Sequence, residues 1–200
     1  MKAPQEIEEL MAIKEFPTPL YEVVRDYFVI SCNTALRFHD ISVLRLAHIN
    51  DGFLEIDPGK SLRNNRSVTK VIVPVLPMFE KILSKYPNGL PKCPPNQVFN
   101  RYIKEIAEKV PSLQKEFLKK ITRAHKVEVE TYLKFQKVSA HTARRSFCTN
   151  MYLKGVPIIT IMAMSGHKTQ ENFMKYIKAD NRKHAELLDT LLKEQQAKRS

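Results

Sequence analysis

Five residues in the last third of the chain have types and spacing that could act on a phosphodiester: His141, Arg144, Gly166, His167 and Tyr176. His141 and Arg144 are three apart, an offset that puts both side chains on one helix face and toward a common target. Arginine offers a planar fork of donors that matches phosphate oxygens, and histidine can donate a hydrogen bond or move a proton. A tyrosine alone is most often structural. Tyr176 is singled out by its place nine residues after the Gly166-His167 pair and downstream of His-x-x-Arg. Together these groups describe a phosphodiester held by cations and attacked by a phenolic oxygen.

Residues 141–178 read HTARRSFCTNMYLKGVPIITIMAMSGHKTQENFMKYIK. The order H-x-x-R, then G-H, then a tyrosine nine residues later resembles the C-terminal signature of the tyrosine recombinases, the phage-integrase family. It is particularly similar to integrases of bacterial mobile elements, in which HTARRSF, YLKGVPI, GHKT and KYIK recur in this order. The resemblance extends over about residues 5–195. It implies an α+β fold, mainly α-helical with a small antiparallel β-sheet. The implied function is a site-specific recombinase or integrase that cleaves and rejoins double-stranded DNA through a 3′-phosphotyrosine, without metal, ATP or other cofactor. Tyr176 would be the nucleophile. Arg37 and Arg144 would hold the non-bridging oxygens, His141 would accept or relay the tyrosine proton, and His167 would hydrogen-bond the phosphate.

The first arginine of such enzymes lies in a segment resembling T-G-L-R-x-S-E/D-L, and Thr34-Ala35-Leu36-Arg37 with Asp40-Ile41 follows it. By that resemblance Asp40 orients a cationic group of the site. Ala35 replaces the usual glycine. A glycine with positive φ could not become alanine cheaply, so the reading is that the glycine serves close approach, or that this site is altered. The family also carries a lysine on a β-hairpin that protonates the leaving 5′ oxygen. Counting forward from the first strand gives Lys60, and counting back from the second gives Arg66. Lysine can lose a proton when buried and arginine cannot readily do so, which favours Lys60.

Lysine plus arginine exceed aspartate plus glutamate by 33 − 21, a net charge of +12, which suits a polyanionic partner. Three widely spaced cysteines, Cys32, Cys93 and Cys148, argue against a disulfide framework and a zinc site and for a reducing compartment; with no signal-peptide core a cytoplasmic protein is expected, and the resemblance implies a bacterial one. There is no apolar run of membrane-spanning length, signal-peptide core, Gly-rich phosphate loop or CxxC, so no membrane, metal or nucleotide is called for. Two other functions share these features. A type IB topoisomerase-like nicking-closing enzyme uses the same chemistry without exchange between sites, and a non-catalytic DNA-binding factor needs only the charge.

The elements that must position these residues follow from proline, glycine and apolar periodicity. Residues 5–14 and 19–31 read as helices separated by Pro17 and Pro19, the second with Val23, Val24, Tyr27, Phe28 and Ile30 at core spacing. Residues 52–57 and 69–75 read as strands, and 77–85 as a helix. A helix from Asn96 toward Pro111 buries Val98, Phe99, Tyr102, Ile103 and Ile106. Within 112–138 the run KVEVETYLKF alternates enough for a hairpin insertion. A helix over 141–154 is capped by Ser139 and ended by Gly155. Pro157 starts the next, ended at Gly166, and a last piece spans 170–178. The chain is expected to be one catalytic domain, residues 1–200, with a helical tail over 180–200 that docks on its own domain or on a neighbour. The separate N-terminal clamp domain of complete integrases is read as missing, and the protein as a monomer that forms a homotetramer on DNA.

Overall fold

The computed structural model describes residues 4–57, 70–123, 126–177 and 181–197. Helix α2, Pro19–Thr34, runs through the middle of the core. Pro19 sits in its first turn with Glu22 near the positive end, and from Val24 to Cys32 every residue is buried. Helix α1 (Pro4–Ala12), α4 (Pro77–Leu83), α5 (Asn96–Glu108) and α6 (Ala140–Leu153) all pack on α2. It is therefore apolar nearly all round, as a central helix must be. Phe28, Phe79, Phe99, Phe147 and Phe173 are fully buried, each contributing about 1.5–3 kcal/mol.

The start of α2 is fastened by charge. Arg25 and Asp26 are buried and 2.8 Å apart, and the Asp26 carboxylate also accepts from Lys85 at 2.6 Å and the Tyr86 hydroxyl at 2.7 Å. Arg25 Nη1 donates to the Ile13 carbonyl at 2.6 Å, which ties the link between α1 and α2. The far end of α2 leads into the short helix α3, Phe38–Ser42.

A three-stranded antiparallel sheet follows: β1 (Ile49–Asn50), β2 (Phe53–Ile56) and β3 (Val71–Pro74), in that order. Strand β1 is only two residues long, too short to show a period, and is absent from the expectation. Asp51 and Gly52 both take positive φ, the Asp-Gly hairpin turn that matches strand twist. The register Leu54↔Val73 and Ile56↔Val71 puts four apolar side chains inward, while Phe53 and Ile72 face out. The expected hairpin position of Lys60 and Arg66 lies outside the described residues. A second antiparallel pair, β4 (Glu116–Arg123) with β5 (Lys126–Leu133), forms the inserted hairpin. Lys134 closes its base, its N–H on the Lys115 carbonyl at 3.0 Å and its ammonium 2.5 Å from Glu6 on α1.

After α6 come α7 (Ile158–Ser165), α8 (Gln170–Met174) and the tail helix α9 (Asn181–Ala197). The tail lies on its own domain: the Tyr152 hydroxyl is 2.9 Å from His184 Nδ1. Gly155 ends α6 with φ of +77°, and a Cβ there would stand 2.9 Å from Leu191 Cδ2 of α9. Gly155→Ala is therefore expected to cost about 1–2 kcal/mol from left-handed strain, read as a lower urea midpoint with unchanged slope. Loss of protection in α9 by hydrogen exchange would show the tail displaced from α6.

Candidate active site at four helix ends

Helix α6 delivers His141 and Arg144 from its first turns. Ser139 stands at the N-cap, as expected, and shares a capping box with Thr142. Thr142 Oγ1 accepts the Ser139 N–H at 3.2 Å and donates to the Lys137 carbonyl at 3.1 Å. Asn100 of α5 takes the Ala140 N–H at 2.8 Å. A neighbouring helix thus satisfies a donor that α6 cannot satisfy itself.

The end of α2 brings in Arg37. Ala35 closes that helix with φ 57° and ψ 14°, in the left-handed region. This overturns the close-approach reading of the usual glycine: the position needs positive φ, and alanine holds it at about 1–2 kcal/mol of strain. The turned Ala35 carbonyl accepts Arg144 Nη1 at 2.5 Å. Arg37, two residues on, donates from Nη2 to the Gly166 carbonyl at 3.4 Å.

The end of α7 brings in His167. Gly166 has φ of +64°, and the His167 N–H returns to the Met162 carbonyl at 3.1 Å, a left-handed helix stop. His167 Nδ1 lies 2.7 Å from the Ser165 hydroxyl, and Arg144 Nη2 lies 3.3 Å from Nε2.

Tyr176 stands past the end of α8 rather than on it, since the helix stops at Met174 where residues 170–178 were expected to be helical. Its N–H bonds the Phe173 carbonyl at 2.8 Å, and its carbonyl accepts the Thr149 hydroxyl of α6 at 3.0 Å. Ring centroids place it 4.4 Å from His167 and 5.1 Å from His141, with the Arg144 guanidinium carbon 5.6 Å above the ring.

Arg37, His141, Arg144, His167 and Tyr176 thus gather in one place from segments up to 139 residues apart. Asp40 is buried in the first turn of α3, three residues from Arg37. Lys60 and Arg66 lie outside the described residues. Four contributors escaped the sequence reading: Ser165, Thr149, Asn100 and the Ala35 carbonyl. Ser165 alone had a visible signal, its adjacency to Gly-His.

The charged neighbours that act on His141 and His167 are cations. Arg144 is 3% exposed, and among the described residues its Nε is a buried donor without a hydrogen-bond partner. Burial first, and the Arg37 charge second, disfavour its charged form. His167 is pushed down to about 4 by burial, then by Arg144, Arg37 and His141. Burial, then Arg145 and Arg144, lowers His141 as well. A multi-oxygen anion would take the orphaned donor and relieve the repulsion between the arginines.

In fold the molecule matches the catalytic domains of tyrosine recombinases. The chain belongs to the phage integrase family, which matches over residues 3–183. The XerH site-specific recombinase, solved after cleavage with palindromic difH substrate, aligns at a TM-score of 0.61 and 15% identity over 91% of this chain. XerA recombinase aligns at 0.61 and 16% over 94%, and the Tn1549 transposon integrase with circular intermediate DNA at 0.61 and 13% over 96%. The chain covers 49%, 63% and 66% of those three solved chains, about half to two thirds of their length. No match was found among curated proteins.

The lowered histidines set a pH dependence. A His167 that titrates at about 4 in the fold and near its ordinary 6.5 when unfolded leaves the unfolded chain holding more protons between those values. Stability contributed by the neutral ring is complete above pH 6.5 and is lost as pH falls toward 4. Imidazole resonances followed by NMR should show His167 neutral at pH 6. Titration at its ordinary value would refute the burial and charge account.

Proposed function

We propose that the chain breaks and rejoins DNA strands through a covalent bond between Tyr176 and a 3′ phosphate. The observation that carries this reading is the seat of Tyr176: its ring lies against both histidines and beneath the Arg144 guanidinium, with Arg37 alongside. The tyrosine oxygen bonds to phosphorus and the P–O5′ bond breaks. The tyrosine proton passes to His141, and the leaving oxygen takes a proton to become a 5′ hydroxyl. Arg37 and Arg144 hold the non-bridging oxygens as charge builds there, and His167 adds a hydrogen bond. Lys60 is the assigned proton donor to the leaving oxygen, with Arg66 as the other candidate, and Asp40 orients the neighbouring cations. Because the phosphotyrosine keeps the energy of the broken ester, rejoining needs neither ATP nor metal.

Membership of the phage integrase family favours exchange between two duplexes over nicking and closing of one. The XerH and Tn1549 proteins were solved with DNA, and the net charge of +12 suits the same partner. Residues 1–200 act as one catalytic domain, monomeric when free and tetrameric on paired DNA sites, in a bacterial cytoplasm.

A duplex nicked beside the scissile phosphate loses the short fragment that carries the new 5′ hydroxyl and so traps the adduct. Wild-type protein should form a covalent complex that denaturing gels retain, and Tyr176→Phe should bind DNA without forming it. Arg37→Ala should lower the adduct rate about 10²–10³-fold, the loss typical of a transition-state donor. Adduct formed by Tyr176→Phe would overturn the assignment. Strand transfer between two labelled duplexes separates recombination from nicking and closing.

A further inference from the structure

We propose that Ser165 is a positioning residue that fixes the tautomer of His167, holding its ring proton on Nδ1 and turning Nε2 toward the phosphate. The phosphate in this statement rests on the proposed function; the tautomer does not.

Ser165 is the last residue of α7 and is buried at 2% exposure. Its Oγ lies 2.6 Å from the Ile161 carbonyl, 3.4 Å from the Met162 carbonyl and 2.7 Å from His167 Nδ1. A hydroxyl has one proton to give, so it can serve the carbonyls or the ring but not both. The Ile161 carbonyl decides which. It can only accept, and at 2.6 Å its oxygen needs a proton between itself and Oγ, whereas Arg144 Nη2 stands 3.3 Å from Nε2 and 3.5 Å from Nδ1 and so selects neither nitrogen. Were Ser165 to donate to Nδ1, two oxygens would face each other with no proton between them.

The reverse assignment removes that conflict. Nδ1–H donates to Ser165 Oγ, and Oγ–H donates to the Ile161 carbonyl. The acceptor-only carbonyl at the far end gives the chain its direction.

A consequence follows for anion binding. The groups around the ring are Arg144 and His141 from α6, Arg37 from the segment before α3, and Tyr176 beyond α8, with Phe173 packed on one edge. The Cys148 thiol also hydrogen-bonds Ser165, and burial pushes it up to about 11, so it is uncharged near neutrality. None of these supplies negative charge at neutral pH, and the free ring stays neutral. To donate to a phosphate oxygen, Nε2 must first gain a proton from solvent. Ser165 keeps Nδ1–H engaged throughout, so the new proton can enter only at Nε2, on the ligand side.

The test begins with unaltered protein labelled with ¹⁵N-histidine. Long-range ¹H–¹⁵N correlations at pH 7 should show His167 with a protonated Nδ1 and an unprotonated Nε2. The opposite pattern overturns the proposal without any variant or activity. Ser165→Ala should shift His167 toward a mixture of tautomers, lower the adduct rate on the nicked duplex about tenfold and displace its pH profile. Ser165→Thr, which retains the hydroxyl, should restore both. An alanine variant with wild-type tautomer and pH profile also overturns the proposal. A protein that forms no adduct but shows the Nδ1–H tautomer would sink the proposed function and leave this inference standing.

Discussion

Burial of the Arg144 guanidinium is the constraint around which this molecule is arranged. Taking such a charge out of water costs several kcal/mol even after relaxation. What offsets it is the end of another helix. The last carbonyls of α2 carry the negative end of its dipole, and the one at Ala35 accepts Arg144 at 2.5 Å. The contact locks α6 against the C-terminus of α2 and needs Ala35 to turn left-handed so that its oxygen points inward. The same turn carries Arg37, two residues later, onto the Gly166 carbonyl. One buried cation thus settles the relative placement of three helix ends.

The site as a whole is built from termini rather than faces. His141 and Arg144 come from the start of α6, Arg37 from just beyond α2, His167 from just beyond α7 and Tyr176 from just beyond α8. Helix ends have unpaired backbone groups, so polar side chains can enter there without breaking a helical ladder. Each terminus is held by its own device: Thr142 and Asn100 for α6, Ala35 for α2, Gly166 for α7 and the Thr149 bond to the Tyr176 carbonyl beyond α8. At its other end α2 is pinned by the Arg25, Asp26 and Lys85 cluster, so the helix that carries Arg37 is fixed along its length.

Two arginines and two histidines packed together leave the free pocket electrostatically strained. The strain is visible in the lowered histidines, the disfavoured Arg144 charge and its orphaned Nε. Such strain costs stability in the free protein and is returned when an anion enters, a form of preorganisation. The neutral state of His167 belongs to the same balance. A neutral ring spares the buried site a further positive charge beside Arg144 and Arg37.

Much of this was legible in the amino-acid order because the information is local. Helix starts and stops at Pro19, Gly155 and Gly166 follow from single-residue backbone preferences. The core stripes of α2 and α5 follow from periodicity, and the residues His141, Arg144, His167 and Tyr176 lie within one short stretch. Local signals failed where a contact crosses the chain. Nothing around Ala35 reveals that its carbonyl meets a guanidinium 109 residues away, nor that Asn100 satisfies the first turn of a helix 40 residues on. Two-residue β1 lacks a period to read, and α8 stops short in tighter turns, the Tyr176 N–H on the Phe173 carbonyl and the Ile177 N–H on the Met174 carbonyl. Residue types and spacing determined which groups could do chemistry here. Only the packed structure decided which way their protons and carbonyls point, because burial forces each polar atom to find a partner wherever the fold puts one.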